Sequence, residues 1–237
     1  MADARVGTSG WSYPEWVGRF YPVGMQQSRM LPYYSRRFNA VEAHNTYRRL
    51  PTAPQLERWS ACAPPDFRFA PKMHLGVTHQ RSLDGLEERV AAFAAAVAPL
   101  GERLGPTLVS LPQRHPDFER LDRLLEAFSA VGTLAVAFEL GPEWIVPSVI
   151  DRLDGHEATL ALVDSDGRPP PNVEVGPFTY IRLRRSRYTR ADLDAWADRL
   201  AKARADGRDS YLFFKHDEHA DGPRYARRLS GRLYQGS

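Results

Sequence analysis

Cysteine is nearly absent: Cys62 is the only one in 237 residues, so no disulfide can form within the chain and no thiolate metal cluster can be built in it. Beside Trp59 and Ala61 on an expected helix, it reads as a small buried thiol rather than a nucleophile. Long apolar runs are missing as well. Nothing approaches the ~20 consecutive apolar residues that span a bilayer, and the opening MADARVGTSG has no apolar stretch of the kind that directs secretion. The expectation is a cytoplasmic protein with no membrane partner. An excess of one charge sign is lacking too, since 32 Lys plus Arg stand against 29 Asp plus Glu. Without a basic tail or a dense basic block, composition alone does not point to a polyanion. Gly7 and Gly10 lack the spacing of a dinucleotide fingerprint, no H-E-x-x-H pair marks a zinc site, and no repeat of fixed period divides the chain. No cofactor follows with certainty from these residues.

What is present is a globular composition, 43% hydrophobic and 26% charged, which sets aside long disorder. The chain is organised around 38–51, FNAVEAHNTYRRLP. A short apolar run there leads directly into Glu42, His44, Asn45 and Tyr47, the pattern of a buried strand delivering polar groups to a site. Seven further strands are expected, at 4–7, 67–70, 107–111, 134–138, 158–163, 178–183 and 211–214. Helical spacing predicts helices over 28–38, 52–62, 86–104, 117–130, 142–153, 189–205 and 222–233, with threonine caps at Thr52 and Thr189 and a bend or division at Pro147. The polar, glycine-broken stretch 73–83 reads as a loop. After the sixth strand, SDGRPPPNVEVG cannot form a normal crossover helix, because its three prolines remove donors and exclude the α region from their predecessors. Eight strands in alternation with helices and no long linker predict an α/β fold, a TIM-type (β/α)8 barrel, as a single domain over 1–237 in which the crossover after the sixth strand lacks a regular helix.

The series GTSGWSY, YY.RRFNAVE, T..RLP, ERW, FRFAPK, THQR.L, LGPTLVSLP and a terminal Y.FF...EHA resembles the DUF72 or YecE-like family, in consistent order from about Val6 to Leu229. The resemblance implies a TIM barrel and no established activity. It carries the family signature around the second strand onto Val41, Glu42, Thr46, Arg49, Leu50 and Pro51, the strand-three lysine onto Lys72, and a Thr-His pair onto Thr78 and His79. The family's later acidic positions fall on Glu139, Asp164 and Asp217. This chain departs from the family pattern at His44, at Leu140 and Gly141 in place of Arg-His, at Lys215 and His216 in place of an Asn pair, and around Arg184 and Arg185, which lack a His-Gly.

In a barrel the C-terminal ends of the strands converge on one mouth, which would gather Glu42, Lys72, Glu139, Asp164, Arg184, His216 and Asp217. One expectation is a hydrolase or lyase acting on a small phosphate-bearing or nucleotide-like substrate. In it Lys72 and Arg184 hold anionic oxygens, Glu42 and Glu139 form the acid/base pair, and Asp217 orients His216. Salt bridges locking the barrel rim are the structural alternative for the same residues. A divalent metal held among Glu42, Glu139, Asp164, His216 and Asp217 is a second version. The reading of a different class is a non-catalytic nucleic-acid or nucleotide binding module, in which Arg182, Arg184, Arg185, Arg187 and Arg190 contact phosphates while Tyr180 and Tyr188 stack a base. Trp11, Tyr13, Trp16 and Tyr21 either wall the pocket or pack its rim. Ligand contacts are expected from Trp11, Tyr13, His44, Asn45, Tyr47, His79, Asp164, Arg182, Arg184, Lys215 and His216.

Overall fold

The structure is a computed structural model and describes residues 2–215 and 217–234. Eight short strands carry it: β1 (Ala4–Thr8), β2 (Ala40–Ala43), β3 (Arg68–Pro71), β4 (Thr107–Ser110), β5 (Val136–Glu139), β6 (Thr159–Asp164), β7 (Thr179–Leu183) and β8 (Ser210–Phe214). The helices are α1 (Met30–Ser35), α2 (Ala53–Cys62), α3 (Leu75–Thr78), α4 (Leu86–Val97), α5 (Phe118–Val131), α6 (Pro147–Gly155), α7 (Arg190–Ala205) and α8 (Asp221–Tyr234). No helix lies between β6 and β7, in keeping with the proline-rich stretch there.

All strand pairs are parallel. Six strands form one curled sheet in the order β1-β8-β7-β6-β5-β4, half of a barrel, and β2 pairs with β3 in a separate two-stranded sheet. Single parallel bridges join the two sheets at both seams, Ser9 to Glu42 on one side and Lys72 to Leu108 on the other. Gly7 makes the first seam possible: a Cβ there would lie 2.0 Å from the Ala40 carbonyl oxygen, so only glycine admits the approach of β2.

Side chains alternate across a strand, and one set of alternate positions builds the interior. Ala40, Ala70, Leu108, Ala137, Ala161, Phe178, Tyr180, Tyr211 and Phe213 form one buried cluster. Bulky rings from β7, β8 and the residue before β7 fill the space that alanines on β2, β3, β5 and β6 leave open. Larger clusters lie between strands and helices, one around Trp16, Tyr34, Phe69 and Phe214, the other around Phe93, Leu124, Phe138 and Trp144.

Several local expectations change. The helix expected over 86–104 ends at Val97 and continues as 3-10 turns, because Pro99 lacks the donor for another α turn and Gly101 adopts φ 52°. The expected loop 73–83 contains the one-turn helix α3, capped by the His74 ring accepting from the Gly76 N–H. The division expected at Pro147 is found, with that residue at the start of α6. Thr52 precedes α2 without a side-chain capping bond, whereas Thr189 forms a full capping box with Asp192. Cys62 is exposed, since α2 buries Leu56 and Trp59 and turns its last residue outward.

Candidate functional site

The alternation that builds the interior also builds the site. Two residues beyond Ala40, Ala70, Leu108, Ala137 and Tyr180 stand Glu42, Lys72, Ser110, Glu139 and Arg182, on the same strand faces at the C-terminal ends. A polar layer therefore caps the apolar one.

Glu42 is fully buried. Its Oε1 accepts from the Ser9 hydroxyl at 2.7 Å and from Arg182 Nη2 at 2.7 Å, and its Oε2 accepts from the Tyr180 hydroxyl at 3.0 Å. Arg182 reaches across to donate to Glu139 Oε2 as well. Glu139 accepts further from Ser110 Oγ and from Arg184 Nη1, each at 3.0 Å. Burial is the largest single influence on both carboxyls and pushes them upward, but Arg182 together with the other cations and donors around each outweighs it. The Glu42 carboxyl stays below its ordinary value, and Glu139, with Arg184 and Lys72 also near, is held down to about 2. For Arg182 burial disfavours the charge, yet the two glutamates raise its pKa beyond the ordinary value. Tyr180 is raised by burial and then by Glu42, so its proton stays in place to donate. The group is a locked ionic network: two carboxylates, one guanidinium between them, and a second at the rim.

Lys72 sits beside this network without joining it. Among the described residues no carboxylate lies within salt-bridge distance of its ammonium, which lies 4.6 Å from the centre of the Tyr47 ring. Burial and then the nearby Arg182 lower its pKa, against the pull of Glu139 and Glu42. The Tyr47 hydroxyl meets His79 Nε2 at 3.1 Å, and His79 Nδ1 meets the Thr78 hydroxyl at 2.8 Å. Burial and the Lys72 charge depress the His79 pKa, which keeps the ring neutral near pH 7. These groups open onto a cleft of about 390 Å³ whose walls include Tyr47, Lys72, His79, Glu139, Arg168 and Gln113.

Other expected site residues lie elsewhere. Trp11 is buried edge-on against Trp59 and Phe69, a core contact. Tyr13 donates to the Ser9 carbonyl at 2.7 Å and stacks on His44, near Glu42 but outside the cleft walls. Gly10, at φ 83°, lets His44 fold back, since a Cβ there would sit 2.3 Å from its ring. Asn45 is exposed on a 3-10 turn. Trp16 donates to the Asp217 carbonyl and Tyr21 to the Trp11 carbonyl, so both hold the first loop.

Asp164 and Asp217 are not brought to the network. Asp164 binds Arg185 at 2.8 Å. Asp217 accepts the backbone N–H groups of His219, Asp221 and Gly222 at 2.8–2.9 Å, which caps the start of α8. Lys215 shares a small depression with Asp217. His216 lies outside the described residues, so its pairing with Asp217 and its part in a metal site do too. Among the described residues no three His, Cys, Asp or Glu side chains are grouped to hold a metal ion; Arg182 occupies the place between Glu42 and Glu139. Of the arginines expected to face phosphates, Arg182, Arg184 and Arg185 are committed to Glu42, Glu139, Asp164 and Asp192.

Among the residues of the site that escaped the sequence reading are Ser9, Ser110, Gln113 and Arg168. Ser110 ends β4 as Glu139 ends β5, so the strand-end rule applied to the fourth strand would have found it. Ser9 is visible only through its bridge to Glu42. Arg168 follows β6 in the helix-free crossover and donates to the Leu140 carbonyl, a position that no spacing announces.

The sequence matches the family described as "Protein of unknown function DUF72" over residues 5–236. The chain belongs to that family. A stretch of 107 residues is 33% identical to UPF0759 protein YecE of Escherichia coli (strain K12), covering 45% of this chain and 37% of that protein. The DUF72 chain superposes on a DUF72 family protein from Thermotoga maritima MSB8 with a TM-score of 0.85, at 24% identity and covering 98% of this chain and 99% of the other. A DUF72 family protein from Enterococcus faecalis V583 gives 0.80 at 19% identity, covering 98% and 95%. At these identities the likeness establishes the fold. Among the described residues no helix is long and apolar enough to cross a membrane.

Proposed function

We propose that the eight strands close into one (β/α)8 barrel in a single domain, and that the cleft at their C-terminal ends binds a small anionic, phosphate-bearing or nucleotide-like molecule for a hydrolase or lyase reaction. Lys72 carries this reading. Around it the charges of Glu42, Glu139, Arg182 and Arg184 are spent on one another, while its ammonium faces the cleft beside an aromatic ring with no carboxylate within salt-bridge distance among the described residues. An anionic oxygen supplies the missing counter-charge. Arg168 on the cleft wall is a further cation, while the wall's Arg114 is paired with Glu143. His79, neutral and hydrogen-bonded to Tyr47, is suited to accept a proton from a bound water or substrate hydroxyl.

Glu42 takes a different part from the acid/base role its sequence position suggests. With both carboxylate oxygens engaged and no exposure, it positions Arg182, and through it Glu139. The test is calorimetric titration of the intact protein with adenosine monophosphate and with inorganic phosphate, followed by a turnover screen on phosphate esters and nucleotides. Lys72→Met should abolish binding, and His79→Gln should keep binding but lose turnover. No binding by the unaltered protein, or equal binding by Lys72→Met, would sink the proposal.

A further inference from the structure

A second cavity lies away from the strand-end cleft. It is a groove of about 760 Å³ between the loop after β1, the start of α7 and the outer face of α8. Six arginines line it, Arg19, Arg190, Arg224, Arg227, Arg228 and Arg232, against one carboxylate, Asp194. Four of the six come from α8. Positions 224, 228 and 232 recur every four residues and 227 falls beside them, so all four project from one side of the helix. The opposite side buries Tyr225, Ala226, Leu229 and Leu233. Gly231 continues the arginine side without a side chain, and a Cβ there would meet nothing within 4 Å, which leaves the groove open along its length.

Carboxylates neutralise only part of this charge. Asp221 pairs with Arg224, Asp194 with Arg190 at 3.6 Å and Asp198 with Arg232 at 3.2 Å. Arg227 and Arg228 are exposed and have no carboxylate within salt-bridge distance among the described residues. Like charges on one helix face repel one another, and an extended anion laid along the groove relieves that repulsion.

We infer that this groove binds the phosphodiester backbone of a single-stranded nucleic acid. Guanidinium groups repeating about every helical turn, roughly 5.4 Å, present a row of planar forks, which suits successive phosphates on a strand. A single phosphate would engage one or two of them and leave the rest unpaired. A membrane surface fits worse, because a helix lying on lipid turns an apolar face outward, and the apolar face of α8 is buried against the protein. The sequence reading placed the phosphate contacts on the 182–190 run. The structure spends four of those five arginines, Arg182, Arg184, Arg185 and Arg190, on carboxylates, whereas Arg227 and Arg228 on the last helix have none within salt-bridge distance among the described residues.

The experiment is fluorescence anisotropy of a labelled oligothymidylate with the intact protein over a salt series, alongside sedimentation with phosphatidylserine vesicles. The unaltered protein should bind with an affinity that falls linearly on a log–log salt plot. Arg227→Ala with Arg228→Ala should weaken binding on the order of tenfold and reduce the slope by roughly 1.4, at ~0.7 per phosphate contact on a single strand. The control, Arg58→Ala with Arg123→Ala, removes the same charge from α2 and α5 and should leave binding unchanged. Alanine favours a helix, and circular dichroism checks that both double variants are folded. The inference is overturned by absence of oligonucleotide binding at low salt, by equal weakening in both double variants, or by binding to vesicles without binding to the oligonucleotide.

Discussion

At the scale of single residues, the site turns on which charges are already matched. Glu42 and Glu139 look alike in sequence, each a glutamate at the end of a buried strand. Folding makes Glu42 a fully buried counter-ion and leaves Glu139 at the cleft wall. Removing one partner of a buried ion pair strands the other charge, at a typical cost of about 3–5 kcal/mol. Glu139 still holds Arg182 when Glu42 is lost, so Glu42→Gln should destabilise the protein by about 3 kcal/mol, the lower end of that range. Urea unfolding measures this. An unchanged midpoint would mean that Glu42 is not the buried anchor of Arg182. Glutamate at 42 was legible from its strand, but its partner was not, because Arg182 lies 140 residues away and only the curl of the sheet brings the two together.

Elements follow the same logic with shorter reach. Both α2 and α7 begin after a threonine, yet only Thr189 accepts from the N–H three residues on, with Asp192 returning the bond to the cap backbone. A lost cap bond costs ~1 kcal/mol, which for a chain of this size lowers Tm by roughly 2–4 °C. Thr189→Ala should therefore lower Tm by about that much, while Thr52→Ala should move it far less. Differential scanning calorimetry of the two variants decides this, and equal shifts would refute the difference in capping. Strand positions and most helices could be read from periodicity, since each depends on residues within a turn or two. The helix end at Pro99 and Gly101 could not, whereas the division at Pro147 could, because proline cannot continue a helix.

For the whole molecule, the polar layer makes stability depend on acid. The Glu139 carboxyl has its pKa depressed from an ordinary 4.5 to about 2, and Glu42 is depressed as well. A depressed carboxyl contributes stability that is fully present above its unfolded pKa and is lost as pH falls through its folded pKa. Stability should thus decline from about pH 4.5 towards pH 2, and Glu139→Gln should flatten that decline. Denaturant midpoints measured across this window test it, and an unaltered slope in Glu139→Gln would count against the network. The sequence by itself determined the alternation of strands and helices, the missing helix before β7, the family and the identity of the residues at the strand ends, because all of these rest on local pattern. Tertiary structure alone decided that Arg182 stands between two glutamates, that Asp217 caps a helix, and that, among the described residues, Lys72 has no carboxylate within salt-bridge distance and neither have Arg227 and Arg228 on α8. Each of those outcomes depends on neighbours far apart in the chain, and the charge of a side chain says nothing about whether folding has already supplied its partner.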